Sequence, residues 1–260
     1  MKRTTHTPYE EYLESAISFA RLGGDHTMHF FRRRIEVERK ADDSPVTVAD
    51  RETEQKIRAA ITDRYPDHRV VGEEYGGTLG SSEWEWIVDP IDGTKSFIRG
   101  VPLYTTLVAL LHRGRPVVGV IHAPAIGDTV AAAVGSGAYD QNGDTIAVSK
   151  CTTIGDAWFM TTDPHNLVDL HRDAGCALFA ETAAVRTWAD GYGYLLLARG
   201  DADVVIDPLM SPWDIAPLSV VIREAGGVFT ALDGSIDDLG RSTLAAATPE
   251  LHAAVARLFA

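Results

Sequence analysis

The sequence predicts a layered fold of mixed β-sheets and α-helices, of the α+β or α/β kind, on three observations. Helical periodicity opens the chain, short apolar runs separated by turn residues fill its middle, and strand-like and helix-like segments alternate after about residue 150. A sheet face and a helix stripe each need an apolar partner, so stacking them in layers is the economical way to bury both. At 260 residues, 45% hydrophobic and 23% charged, the chain can bury a large core without disulfides and has an ordinary globular composition.

Taken in order, Leu13, Ile17, Ala20, Met28 and Phe31 follow helical spacing and predict an amphipathic helix over residues 8–31. A second helix is predicted over Arg51 to Tyr65, with Ile57 and Ile61 inward and Pro66 just past its end. The span between them, Arg32 to Val48, reads as irregular or extended. Strands are predicted at residues 69–71, 84–89, 104–111, 116–123 and 129–134, with a hairpin connection at His112-Arg113-Gly114-Arg115 and a tight turn at Asn142-Gly143 before Thr145 to Val148. Farther on, helices are predicted at residues 166–175, 191–199, 213–225 and 249–259, and strands at 204–206 and 228–230. The expected division is an N-terminal α+β part over 1–150 and a C-terminal α/β part over 151–260, with no linker disordered enough to separate them into independent domains.

A formal net charge of −13 repels a polynucleotide backbone, so a nucleic-acid partner is not expected. No apolar run approaches the length of a membrane span, and the residues after Met1-Lys2-Arg3 do not resemble a secretion signal, so cytoplasmic residence is the expectation. Cys151 and Cys176 lack the spacing of a redox or zinc motif and read as reduced thiols. An acidic protein that handles an anion needs local positive charge, and bound cations are a candidate source.

The most informative stretch runs from Trp86 to Phe97. A buried apolar strand ends in Asp89 and Asp92, Gly93 permits a tight path, and a helix can start near Thr94. Two carboxylates at a strand end beside backbone N–H groups and a hydroxyl suit a hard cation together with the phosphate that it bridges. Each piece alone reads as a helix cap or turn residue. Two more acidic loci, Gly72-Glu73-Glu74 after a short strand and Trp213-Asp214 at a helix start, turn the balance toward a multi-metal site.

The strings Pro45-Val46-Thr47-Val48-Ala49-Asp50, Gly72-Glu73-Glu74, Asp89-Pro90-Ile91-Asp92-Gly93-Thr94, Trp213-Asp214-Ile215-Ala216 and Glu224-Ala225-Gly226-Gly227 resemble, in order, the defining motifs of the inositol monophosphatase family. That resemblance spans about residues 10 to 259. It implies an αβαβα sandwich, a homodimer, frequent Li⁺ sensitivity and two to three Mg²⁺ per site. Glu73, Asp89 and the Ile91 carbonyl would hold the first metal, and Asp89, Asp92 and Asp214 the second. Glu73 would also serve a weaker third site. Asp50 would orient Thr94, and the pair would draw a proton from the attacking water, while Gly93 and Thr94 offer N–H groups to the phosphate.

For the substrate, a small-molecule phosphate ester, the stretch from Arg186 to Tyr194 departs from the small-residue run usual in inositol phosphatases. With Asp207-Pro208 and Trp213-Asp214 it looks more like the histidinol-phosphate phosphatases of the family. Histidinol carries an ammonium and an imidazole, for which Asp190 and Asp207 are candidate acceptors. Trp188, Tyr192 and Tyr194 read as core or dimer packing. Inositol 1-phosphate, fructose 1,6-bisphosphate and 3′-phosphoadenosine 5′-phosphate are the rival substrates. A non-catalytic metal- or phosphate-binding module is the rival of another class, disfavoured because Asp50, Thr94 and Asp214 are all present.

Overall fold

The computed structural model describes residues 8–40 and 44–260. Residues 1–7, read above for a leader, and 41–43, within the irregular span, lie outside them.

Helix α1 (Glu10–Thr27) buries Leu13, Ala16, Phe19 and Ala20 on one stripe and ends four residues before the predicted limit. The irregular span contains a small antiparallel pair, β1 (Val37–Arg39) and β2 (Pro45–Thr47). It leads into α2 (Val48–Arg64), which starts three residues earlier than predicted because Thr47 and Asp50 form a capping box there.

A seven-stranded sheet follows, in sequential order: β3 (Arg69–Gly72), β4 (Trp84–Asp92), β5 (Thr105–His112), β6 (Arg115–Ala123), β7 (Asp128–Ala133), β8 (Gly137–Asp140) and β9 (Thr145–Ile146). The short helix α3 (Thr94–Ile98) lies between β4 and β5. The rest of the chain comprises β10 (Trp158–Met160), α4 (Pro164–Leu170), α5 (Arg172–Glu181), β11 (Ala184–Arg186), α6 (Gly191–Arg199), β12 (Val204–Asp207), α7 (Pro212–Glu224), β13 (Val228–Thr230), β14 (Thr243–Ala246) and α8 (Pro249–Ala256). Its strands form a second sheet in the order β11-β10-β12-β14-β13. Strands β8, β10, β11 and β14 are absent from the sequence reading; β3, β12 and β13 are as short, but Val70-Val71, Val204-Val205-Ile206 and Val228-Phe229-Thr230 give them β-branched runs that the missed four lack. The helix predicted over 166–175 is two helices meeting at His171, whose extended φ of −140° breaks the run.

Side-chain alternation sets the layers. Trp86 and Val88 of β4 pack with α1 and α2, whereas Ile87 points to the opposite face and meets Ala216 of α7. In the second sheet Val205 faces α6 and α7, while Val204 and Ile206 face α4, α5 and α8. The result is helices, sheet, helices, sheet, helices: an αβαβα sandwich. Helix α7 comes so close to the first sheet that a Cβ at Gly119 of β6 would collide with the Pro217 carbonyl oxygen.

One buried histidine gives this packing a pH signature. His122 of β6 pairs through Nδ1 with Thr129 Oγ1 at 2.8 Å, and its ring edge fills the space beside Gly24, where a Cβ would stand 2.5 Å from Cδ2. Burial pushes its pKa down from 6.5 to about 4. The fold thus favours the neutral ring, and its contribution is lost as pH falls from about 6.5 toward 4, a loss on the order of 3 kcal/mol. Urea unfolding across this range is expected to show wild type losing stability relative to His122→Asn.

Candidate active site

The site forms where β4 ends. Regular alternation would send Asp89 and Asp92, three residues apart, to opposite faces of the sheet. The pairing with β5 slips between them, with Asp89 opposite Leu107 and Asp92 opposite Thr105, so three steps on β4 match two on β5. This bulge turns both carboxylates to one side. Asp214 arrives from the first turn of α7, where its Oδ2 accepts the Ser211 N–H at 2.8 Å. One carboxylate oxygen from each of Asp89, Asp92 and Asp214 lies within 4.8 Å of the others.

They line a cleft of about 420 Å³ with Lys40, Ser44, Glu73, Ile91, Gly93, Thr94, Ser211 and Trp213. Glu73 stands beside Asp89 and is held by Lys40, whose Nζ is 2.7 Å from both Glu73 Oε1 and Glu74 Oε1. Burial pushes the Asp89 and Asp214 carboxyls well up, with Glu73 and Asp92 adding repulsion to both. Asp92 rises to about 6, chiefly from burial, although the Gly191 N–H (2.5 Å) and the Thr105 hydroxyl (2.9 Å) donate to its Oδ2. Such a donor set, all oxygen and mutually repulsive, fits a hard divalent cation.

Behind the cluster lies the Asp50–Thr94 pair. The Thr94 hydroxyl is 3.4 Å from Asp50 Oδ1 and 3.0 Å from the Ile91 carbonyl oxygen. Asp50 Oδ2 is occupied by the Thr47 N–H (2.7 Å) and hydroxyl (2.6 Å), which fixes the carboxylate with Oδ1 toward Thr94. Burial raises its proton affinity.

Four residues at the site went unread in the sequence: Lys40, Glu54, Arg58 and Thr105. Glu54 lies one helical turn after Asp50 on α2 and is fully buried. Its carboxylate accepts the N–H of Glu74 (2.6 Å) and of Tyr75 (3.2 Å) and pairs with Arg58 at 2.6 Å. Arg58 in turn donates to the carbonyls of Val70 (2.9 Å) and Gly76 (2.6 Å), so the two residues clamp the loop that carries Glu73. Glu54→Gln is expected to weaken divalent-metal affinity by about tenfold with turnover at saturating metal nearly unchanged. Calorimetric titration with Mg²⁺ beside steady-state kinetics checks both halves.

The two acids predicted for the substrate part company. Asp190 occupies a strained backbone conformation, φ 50° and ψ −160°, at the start of α6, with its N–H on Thr162 Oγ1 at 2.9 Å. Its Oδ2 is 2.9 Å from where a Cβ on Gly93 would stand, so its carboxylate flanks the metal-loop glycine. Burial, then Asp92 and Asp207, hold its pKa well up against the pull of Lys95. Gly191 must be glycine, since a Cβ there would meet Thr105 Oγ1 and lie 2.7 Å from Asp92 Oδ2. Asp207, by contrast, is buried and engaged inside the protein by the Thr162 N–H (2.7 Å) and the Tyr194 hydroxyl (3.0 Å). The packing aromatics also divide: Tyr194 is fully buried, whereas Trp188 is exposed and stacks on Arg186.

Compared with known proteins, residues 9–260 match the model of the inositol monophosphatase family. The chain belongs to that family. Among curated relatives, the histidinol-phosphatase of Chlorobaculum parvum is 40% identical over 83% of this chain and 83% of its own length. The histidinol-phosphatase of Mycobacterium tuberculosis is 38% identical over 81% and 83%. Among solved structures, an inositol monophosphatase from Zymomonas mobilis superposes with a TM-score of 0.86 at 28% identity, covering 98% of this chain and 99% of its own. The protein is therefore a metal-dependent phosphoric monoester hydrolase of the inositol monophosphatase family acting on small-molecule phosphate esters. Among the described residues, no helix is long and apolar enough to cross a membrane.

Proposed function

We propose that this enzyme hydrolyses L-histidinol phosphate to L-histidinol and phosphate, a step of histidine biosynthesis, with Mg²⁺ as its metal. The observation that carries the substrate is Asp190, a carboxylate held against Gly93 beside the metal-binding acids, suited to a substrate whose phosphate and ammonium lie a few bonds apart. The two histidinol-phosphatase relatives support the same reading.

In this reading Glu73, Asp89, the Ile91 carbonyl, Asp92 and Asp214 hold two to three Mg²⁺. When bound, these cations neutralise the phosphoryl oxygens, acidify the attacking water and stabilise the leaving oxygen. Thr94 and Asp50 do the proton work: the hydroxyl receives the water's proton as it passes its own toward Asp50 Oδ1, for which the buried carboxylate is primed. Gly93 and Thr94 present N–H groups to the phosphate. The water oxygen–phosphorus bond forms as the ester bond breaks, with no covalent enzyme intermediate. A cytoplasmic homodimer belongs to the same reading.

Phosphate release from histidinol phosphate, inositol 1-phosphate, fructose 1,6-bisphosphate and 3′-phosphoadenosine 5′-phosphate tests it. The expected kcat/KM for histidinol phosphate exceeds each of the others at least about tenfold, and Asp190→Asn erases most of that margin by removing a charge-assisted hydrogen bond. Preference for any of the other three overturns the substrate.

A further inference from the structure

Asp207, which the family resemblance makes a candidate acceptor for the substrate, has both carboxylate oxygens engaged within the protein. Oδ1 accepts the Thr162 N–H at 2.7 Å, with the Thr161 hydroxyl at 3.5 Å, and Oδ2 accepts the Tyr194 hydroxyl at 3.0 Å. Tyr194 is fully buried and also shares a short hydrogen bond with Thr243. The residue thus secured, Thr162, uses its own side chain to accept the N–H of Asp190 at 2.9 Å. The next N–H, that of Gly191, goes to Asp92 at 2.5 Å.

We infer that Tyr194, Asp207 and Thr162 are positioning residues that hold Asp190 at the substrate, and that Asp207 itself does not touch the substrate. A non-glycine residue at φ 50° and ψ −160° relaxes unless its surroundings over-determine it, and here the peptide N–H groups on both sides of the Asp190 α-carbon and carbonyl are tied. Thr162 supplies one tie and Asp92 the other. Thr162 lies in the exposed link between β10 and α4, and the buried Asp207 carboxylate ties its backbone N–H to the core. Recognition of the ammonium then depends on a residue that is shielded from it.

The inference rests on the substrate reading above, and one experiment separates the two. KM and kcat are measured for wild type, Thr162→Val, Tyr194→Phe, Asp207→Asn and Asp207→Ala, each with histidinol phosphate and with inositol 1-phosphate, which has no cation, after circular dichroism has confirmed the fold. Thr162→Val and Tyr194→Phe are expected to raise KM for histidinol phosphate about tenfold, leaving kcat and the inositol 1-phosphate constants nearly unchanged. Asp207→Asn is expected to rescue, because its amide oxygen still accepts from Thr162 and its NH₂ can donate to the Tyr194 oxygen. Direct contact predicts the reverse: Asp207→Asn as damaging as Asp207→Ala, and no loss in Tyr194→Phe, which frees the carboxylate. Either that pattern or kinetically silent Thr162 and Tyr194 variants overturns the inference. Thr162→Val, on its exposed turn, keeps the test decisive if Asp207→Ala does not fold. Wild type that fails to turn over histidinol phosphate sinks the substrate reading and the brace with it, whereas silent variants of an active wild type sink the brace alone.

Discussion

Asp92→Asn is expected to lower kcat/KM at least about 10²-fold at saturating Mg²⁺ while raising the melting temperature of the metal-free protein. The two effects share one cause. One carboxylate oxygen from each of Asp92, Asp89 and Asp214 lies within 4.8 Å of the others, and burial, with repulsion from neighbouring acids added, holds all three pKa values up, so each is costly to charge without a cation. An Asn at 92 can keep its oxygen on Gly191 and Thr105 and turn its NH₂ toward the neighbouring carboxylates, converting repulsion into hydrogen bonds. It cannot supply the negative charge that the proposed second cation would require. Kinetics and calorimetric melting on the same preparation check the prediction. Normal turnover in a folded variant would remove Asp92 from the machinery.

The second large effect is stabilisation by the metal itself. Divalent cation at about 100 times its dissociation constant is expected to add about 2.7 kcal/mol, a rise in melting temperature of several degrees for a chain of this size. The increment should depend on pH. Asp92 carries a pKa raised to about 6 from 3.8, so without metal its contribution to stability is fully present below 3.8 and is lost as pH rises through about 6. Protons and cations compete for the same oxygens, and the metal-induced increment should therefore grow from pH 4 to above 6. Because His122 titrates in both samples, the difference between melting curves with and without Mg²⁺ isolates the acidic cluster. An increment flat across that range would mean that cations bind away from Asp92.

How much of this was written locally in the chain varies from residue to residue. The strand before Asp89 and the turn at Gly93 were legible because apolar alternation and a glycine are local signals. The extension of β4 through Pro90 to Asp92 was not, since it depends on a slip against β5 that only the partner strand defines. Glu54 carries no local signal that sets it apart from the other acids of α2; its burial follows from a loop twenty residues ahead folding back onto the helix. Asp207 shows a different limit. The resemblance picked it out, but the direction of its side chain is set by Tyr194 of α6 and Thr162, partners distant in the chain that no local pattern reveals.

The contact of α7 with Gly119 has a last consequence. Asp214 belongs to the outer end of a rod whose middle rests directly on main chain, with no side chain between to absorb error. A single methyl group at position 119 would act as a wedge under α7 and is expected to lever the Asp214 carboxylate away from its two companions with every acidic residue left in place.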